Sequence, residues 1–310
     1  PLVTTYKAKG ILPEDDPLSL GGAGLSPAAD RILLPLIARA DLVLLLGYDP
    51  IEMRLPWRDP WPADADVVEI AASPRDHGMH RASLSLFGNV APTLSALSLE
   101  VEPRTTWPEG GPTAARRALD RQFAPEPAGW GPAVAFHGLR EALPDEAVVT
   151  VDSGAHRILL SQLWRTRHPR SVLQSSALCT MGCAVPLAAG YRLGRGDRPV
   201  VAVVGDAGLE MVLGELATLR EFALPVIVVV LVDESLALIE MKQRGAQLAS
   251  VGVDFTGTDF PAVARAMGGH GAWIDDVATL KAEVGSALAR ADAFTVLAVR
   301  IGRRAYDGKF

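Results

Sequence analysis

The stretch that most constrains this chain is residues 199–243, PVVAVVGDAGLEMVLGELATLREFALPVIVVVLVDESLALIEMKQ. Its first apolar run, residues 199–204, is too short for a helix and rich in valine, which predicts a buried strand. Gly205-Asp206-Ala207-Gly208 breaks the run. From there Leu209, Val212, Leu213, Leu216 and Leu219 keep the spacing of one helix face. A second valine-rich run, residues 226–232, follows Pro225 and ends in Asp233-Glu234-Ser235. Strand, helix and strand in this order make a βαβ unit, whose two strands run parallel and end at the same edge of a sheet. Asp206 leaves the first strand there and Asp233 the second. Open α/β sheets bind ligands at that edge, and the turn into the helix offers free N–H groups and a dipole to phosphate. Two carboxylates beside a phosphate seat suit a bridging divalent cation with oxygen ligands, such as Mg²⁺.

The rest of the chain limits what such a unit can belong to. Its 310 residues are enough for two domains, and 49% hydrophobic against 21% charged residues is a globular balance. A net charge of −6 argues against nucleic acid as the main partner. No apolar stretch is long enough to span a bilayer, since the run near Val226 is cut by Asp233. The two cysteines, Cys179 and Cys183, fit a reducing, cytoplasmic setting. Their spacing would put both on one helical face, and without further thiols or imidazoles nearby they make a poor zinc site. The chain starts at Pro1 in what reads as a strand, with no leader and no Met, so a fragment or a processed chain is the expectation.

In order, residues 1–100 read as one α/β domain. Strand 2–6 and a flexible loop at Gly21-Gly22-Ala23-Gly24 precede a helix over 27–40, with Ser26 as N-cap and Pro27 in the first turn. A buried strand over 41–47, a strand over 67–71 and a short helix over 90–97 follow. Gly47 at a strand end would admit a nucleotide, but the full GxGxxG fingerprint is absent and a plain turn is the reading taken. The density of proline and glycine across 101–131 marks an interdomain linker with one helix, 113–123, inside it. Residues 132–310 form the second domain. It runs through helix 133–143, strand 147–152 and a turn at Ser153-Gly154-Ala155-His156. A segment over 175–189 then begins as loop and turns helical around Pro186. After the opening βαβ unit come helices over 259–267 and 277–291 and a closing strand over 294–300. The fold class is therefore α/β: two Rossmann-like, doubly wound parallel-sheet domains joined by a Pro/Gly-rich linker.

With those pieces placed, the sequence resembles the thiamine-diphosphate enzymes of the acetolactate synthase and pyruvate oxidase type. GDAGLEMVLGELAT is similar to the family's GDG cofactor motif and the helix after it, and LVDESLAL stands where the family has an LNN-type segment. CTMGCAVPLAAG resembles GSMGYGLPAAIG, DSGAHRILLSQLW resembles DVGQHQMWAAQ, and residues 1–100 resemble the family's middle domain. The resemblance spans essentially the whole chain. It implies thiamine diphosphate and Mg²⁺ as cofactors, with FAD or a nucleotide in the middle domain of some relatives. It also implies cleavage or formation of a carbon–carbon bond on a 2-oxo acid, by a decarboxylase or an acetolactate-synthase-like transferase, in a homodimer or homotetramer. The family has a third, N-terminal pyrimidine-binding domain that supplies the activating glutamate. These residues show only the middle and diphosphate-binding parts, so that domain, or a second chain carrying it, is an expected partner.

The resemblance then assigns residues. Asp206 is a metal ligand, beside the alternative of a helix N-cap; Asp233 stands at the family's metal-binding Asn, beside that of a turn carboxylate. The backbone carbonyl of Ser235 would be the third protein ligand. Gly205, Ala207 and Gly208 form the diphosphate turn, with Gly208 offering its N–H, and Ala207 departs from the family's glycine. Gly154, Ala155 and His156 lie near the diphosphate, against the alternative that His156 is a surface loop residue. Thr180 and Met181 lie against the cofactor, with Met181 as the wedge that bends it, against the alternative of plain core packing. Glu240, Lys242, Gln243 and Arg244 in the segment over 235–250 would read an anionic substrate, or are simply a solvated helix face. The departures at Ala207 and Asp233 leave a second function open, a non-catalytic, degenerate module of the same fold used for binding or assembly.

Overall fold

The computed structural model describes residues 1–74, 77–125, 129–195 and 197–310. The chain divides into two compact units, Pro1–Tyr6 with Asp16–Gln122, and Lys7–Asp15 with Phe123–Phe310. The division falls inside the proline- and glycine-rich stretch, whose Pro127 lies outside the described residues.

The first unit contains β1 (Leu2–Thr5), β2 (Ser19–Ala23), α1 (Pro27–Ile37), β3 (Leu42–Leu46), β4 (Asp66–Ala71), β5 (Leu84–Phe87), α2 (Val90–Ser98) and α3 (Gly111–Gln122). β1 pairs in parallel with β2, and β3, β4 and β5 form a separate parallel sheet. Ser26 caps α1 by accepting from the Ala29 N–H at 3.2 Å. Two expectations fail here. The glycine-rich residues 19–23 form a strand rather than a loop, because β1 supplies a parallel partner and the small side chains pack closely, four of the five buried. The strand over 41–47 exists but is not buried: Leu42, Leu44 and Leu46 are 53%, 48% and 36% exposed, and Phe87 on β5 is 52% exposed. An apolar run fixes the strand, while its burial depends on what covers the face.

The second unit contains α4 (Pro132–Ala142), β6 (Val148–Val151), α5 (Ala155–Leu163), β7 (Val172–Gln174), α6 (Ala184–Arg195), β8 (Val200–Gly205), α7 (Asp206–Met211), α8 (Glu215–Glu221), β9 (Val226–Val232), α9 (Ala237–Gly245), α10 (Phe260–Ala266), β10 (His270–Ile274), α11 (Val277–Leu288) and β11 (Thr295–Arg300). Its six strands run parallel in the order β10-β11-β9-β8-β6-β7. β8 and β9 are in register from Val200 opposite Val226 to Gly205 opposite Leu231, as the βαβ reading requires. Both faces of these central strands are covered, so they are valine-rich throughout rather than alternating. Val201, Val203, Val226, Val228 and Val230 are each 2% exposed or less. Burying each such side chain contributes roughly 1.5–3 kcal/mol.

The strand order places the site. The chain runs outward from β6 to β7, then crosses back to β8 on the other side of β6. The order therefore reverses between β6 and β8, and the crevice beyond their carboxyl ends is the topological switch point of the sheet. The single long helix expected after residue 208 is instead two short ones. α7 starts at Asp206 itself, and the chain turns through residues 212–214 before α8.

The segment Lys7–Asp15 belongs to this second unit. Lys9 Nζ and Glu14 Oε1 form a buried ion pair at 2.6 Å, and Glu14 Oε2 accepts from the Thr166 N–H at 3.1 Å. Gly10, at φ +81°, lies so close to the His168 carbonyl that a Cβ would stand 2.2 Å from its oxygen. No helix among the described residues is long and apolar enough to cross a membrane.

Candidate functional site

Four loops meet at the carboxyl edge of the second sheet. They follow β6, β8 and β9 and precede α6, and together they line a cavity of about 260 Å³. Gly154, Ala155, His156, Met181, Gly205, Asp206, Ala207, Gly208, Asp233 and Ser235 all line it. Thr180 is exposed and does not.

Asp206 is the first residue of α7, capped by Gly205, and is 2% exposed. Its carboxylate does not act as an N-cap. Oδ1 accepts from the Ala207 N–H at 2.8 Å, while Oδ2 reaches the end of β9 and accepts from Asp233 N–H at 3.1 Å and Glu234 N–H at 2.7 Å. Glu234 holds φ +54°, a left-handed turn that aims those N–H groups back at Asp206. The turn is fixed from outside by antiparallel bonds, Leu236 N–H to Val253 O at 2.7 Å and Phe255 N–H to Glu234 O at 3.2 Å. Asp233 lies beside Asp206 and is 6% exposed; its Oδ1 accepts from Ser235 N–H at 3.3 Å.

Burial pushes both carboxyls up, and Asp233 rises to about 8 because Asp206 is its neighbour and it has fewer N–H donors. A pair raised in this way favours holding a proton, which a bound cation would displace. No cluster of three or more His, Cys, Asp or Glu side chains suited to a metal occurs among the described residues. A cation held by Asp206 and Asp233 would draw its other ligands from backbone carbonyl, bound phosphate and water, which is the habit of Mg²⁺.

His156 lies in the first turn of α5, not in a surface turn, and is 5% exposed. Its ring fills space left by two glycines: a Cβ on Gly154 would stand 2.5 Å from His156 Cε1, and one on Gly205 3.2 Å from it. Its Nε2 is 2.6 Å from Asp152 Oδ1. Asp152 is the residue the sequence reading passed over. It is 1% exposed, and its Oδ2 accepts from the Gly182 N–H at 2.6 Å. A Cβ on Gly208 would lie 2.3 Å from that same oxygen, and one on Gly182, at φ +79°, would lie 2.8 Å from the Gly208 carbonyl. Asp152 therefore ties together the loops after β6, after β8 and before α6, and glycine at 182 and 208 permits the approach. A carboxylate at a strand's carboxyl end, four residues before a histidine, was the available signal.

Cys179 and Cys183 precede α6 instead of sharing a helical face. Cys179 lines the cavity, and burial, with Asp152 nearby, pushes the Cys183 thiol up. Of the charged set on α9, Glu240 is buried and accepts from Arg244 Nε and Nη2 at 3.0 Å each. Arg244 Nη2 also donates to Asp307 at 2.7 Å, so this arginine clasps the C-terminal segment. Residues 236–239, in the segment over 235–250 expected near substrate, close one side of the cavity, and Tyr306, which was not anticipated, closes another.

Residues 152–299 match the family described as thiamine pyrophosphate enzyme, C-terminal TPP binding domain, and residues 1–97 match thiamine pyrophosphate enzyme, central domain. A probable 2-ketoarginine decarboxylase of Pseudomonas aeruginosa is 31% identical over 86% of this chain and 48% of that protein. The acetolactate synthase large subunit of Parasynechococcus marenigrum is 29% identical over 93% of this chain and 48% of its own length. The acetolactate synthase isozyme 1 large subunit of Escherichia coli is 29% identical over 78% and 43%. The chain spans about half the length of the curated relatives it matches.

Proposed function

Because the chain belongs to the thiamine pyrophosphate enzymes of the acetolactate synthase type, we propose that it supplies the diphosphate- and metal-holding half of an enzyme that cleaves or forms a carbon–carbon bond on a 2-oxo acid. The observation that carries this reading is the convergence of Asp206, Asp233 and His156 at one cavity on the switch point. The fit to a magnesium diphosphate rests on chemistry of the site itself. Two buried carboxyls lie side by side, and the Ser235 and Tyr306 hydroxyls are buried without hydrogen-bond partners.

Thiamine diphosphate, when bound, supplies an electron sink for the carbanion left as a 2-oxo acid loses CO₂. The residues of this chain anchor it. Asp206 and Asp233, with the Ser235 carbonyl, hold Mg²⁺, and Asp206 is already oriented by its three N–H donors. Gly205, Ala207 and Gly208, with Gly154, Ala155 and His156, form the walls at the diphosphate, and Met181 meets the body of the cofactor. Asp152 holds the His156 ring in place, so the imidazole keeps one nitrogen committed to the protein. The activating glutamate belongs to a partner domain or chain, within a cytoplasmic homo-oligomer.

The alternative, a non-catalytic module, draws on Ala207 and Asp233. Ala207 sits in ordinary helical backbone, so its methyl carries no conformational strain. Asp233 keeps an oxygen ligand at the seat. The test is titration of the full-length protein with thiamine diphosphate and Mg²⁺ while following thermal unfolding. Saturation near a hundredfold over Kd stabilises by about 2.7 kcal/mol, which reads as a rise of several degrees in Tm; no rise refutes the proposal. CO₂ release from a panel of 2-oxo acids, lost in Asp206→Ala, separates an enzyme from a binding module.

A further inference from the structure

Tyr306 lies beyond the last strand of the sheet, in a turn that carries no motif. It is 2% exposed, and its hydroxyl has no hydrogen-bond partner. A buried hydroxyl left unpaired costs about 1–3 kcal/mol, so a native structure that keeps one calls for a reason. The surroundings of this one are specific. Tyr306 lines the cavity at Asp206 and Asp233 and also a second cavity of about 220 Å³ under α9. The only other buried unpartnered side-chain hydroxyl at these walls among the described residues, Ser235 Oγ, lines both cavities too. Burial pushes the phenol well above its ordinary range, and the neighbouring carboxyls Asp233, Asp206 and Asp152 act in the same direction, which keeps it a hydrogen-bond donor.

The segment that carries Tyr306 is held from both sides of the residue. Arg304 Nε lies 3.6 Å from Glu240 Oε1, and Asp307 accepts from Arg244 Nη2 at 2.7 Å, with Arg244 itself bound to Glu240. This clasp holds Tyr306 at the wall of the cavity that Asp206 and Asp233 also line. A Phe would satisfy the packing equally well, and the hydroxyl adds only a cost to the unliganded protein.

We propose that Tyr306 is a further binding residue of the seat, its hydroxyl donating a hydrogen bond to an oxygen of the anionic group, or of a cation-bound water, held at Asp206 and Asp233. The inference rests on the reading of that seat as a magnesium-diphosphate site. The phenol finds its acceptor only on loading, so the same atom opposes the unliganded state and favours the liganded one.

The test is Tyr306→Phe in the full-length protein, with Kd for thiamine diphosphate plus Mg²⁺, and for inorganic pyrophosphate plus Mg²⁺, measured by calorimetry, and Tm measured in EDTA. The expected result is a Kd about five- to tenfold weaker, ~1–1.4 kcal/mol, with a Tm in EDTA that is unchanged or higher. An equal loss with both probes places the acceptor on the diphosphate or its cation water; a loss with the thiamine compound alone overturns this assignment. An unchanged Kd for both overturns it too, as does a Kd loss accompanied by a lowered Tm in EDTA, which makes Tyr306 a packing residue. If the wild-type protein binds neither probe, the reading of the seat falls together with this inference; if wild type binds and the variant binds equally, only the inference falls.

Discussion

Replacing Asp233 with Asn tests the charge state of the seat directly. The amide keeps an oxygen for the Ser235 N–H and nearly the same volume, so the change is close to a pure removal of charge. In the folded chain the Asp233 carboxyl titrates near 8 rather than at its ordinary 3.8, through burial and the neighbouring Asp206. Between those two values the folded protein holds a proton that the unfolded chain has released, so stability falls as pH rises. The loss begins above the ordinary carboxyl value and is complete above the raised one. With one proton of difference the slope is about 1.4 kcal/mol per pH unit, so from about pH 5 to about pH 7 the wild-type chain loses on the order of 3 kcal/mol through this group. Asp233→Asn removes the slope. In EDTA, urea unfolding should show the variant gaining on wild type by roughly 1 M in midpoint across that interval, on an ordinary urea dependence. Saturating Mg²⁺ and thiamine diphosphate should flatten the wild-type slope, because the loaded seat favours the ionised pair. Parallel midpoint curves for the two proteins in EDTA would refute the account of Asp233 as a carboxyl that is neutral when unliganded.

The other expectations concern the loops around that seat. Gly208→Ala drives a methyl to 2.3 Å from Asp152 Oδ2, forcing a shift that costs ~1–3 kcal/mol; differential scanning calorimetry should show a lowered Tm, and an unchanged one would mean the loops separate freely. Asp152→Ala leaves the Gly182 N–H and His156 Nε2 without the carboxylate they share, a loss of about 1–3 kcal/mol; a Tm equal to wild type would contradict it. Lys9→Met removes the buried ammonium that donates to Glu14 Oε1 at 2.6 Å, a loss of about 1–3 kcal/mol read as a drop in urea midpoint; a midpoint equal to wild type would contradict it.

What could be read in advance divides along physical lines. β8 and β9 were legible because both of their faces are buried, so valine content and length sufficed. Asp206 and Asp233 were legible because parallel strands of a βαβ unit end at one edge whatever their surroundings. The burial of His156 was not, since it depends on space left by Gly154 and Gly205 on two different loops. β2 was hidden for a related reason: glycine weakens a strand taken alone, and only the β1 partner reveals it. The leucines of β3 show the opposite limit, an apolar pattern whose outer face is exposed in the first unit. Tyr306 had no local signal, because Glu240 and Arg244, which hold its neighbour Asp307, are distant in sequence.

The contact between Asp152 and Gly208 also bears on how such a site can drift over generations. One carboxylate oxygen occupies the space where a side chain at 208 would begin, so the two positions share a single volume. A mutation at either is judged by the other: Gly208→Ala is harmful beside Asp and becomes tolerable only once residue 152 has shortened, which in turn releases Gly182 and the His156 ring. Three motifs far apart in the sequence are thereby bound into one heritable unit. Their order of loss is constrained, and a lineage that relaxes this seat should be found to have changed Asp152 before it fills position 208.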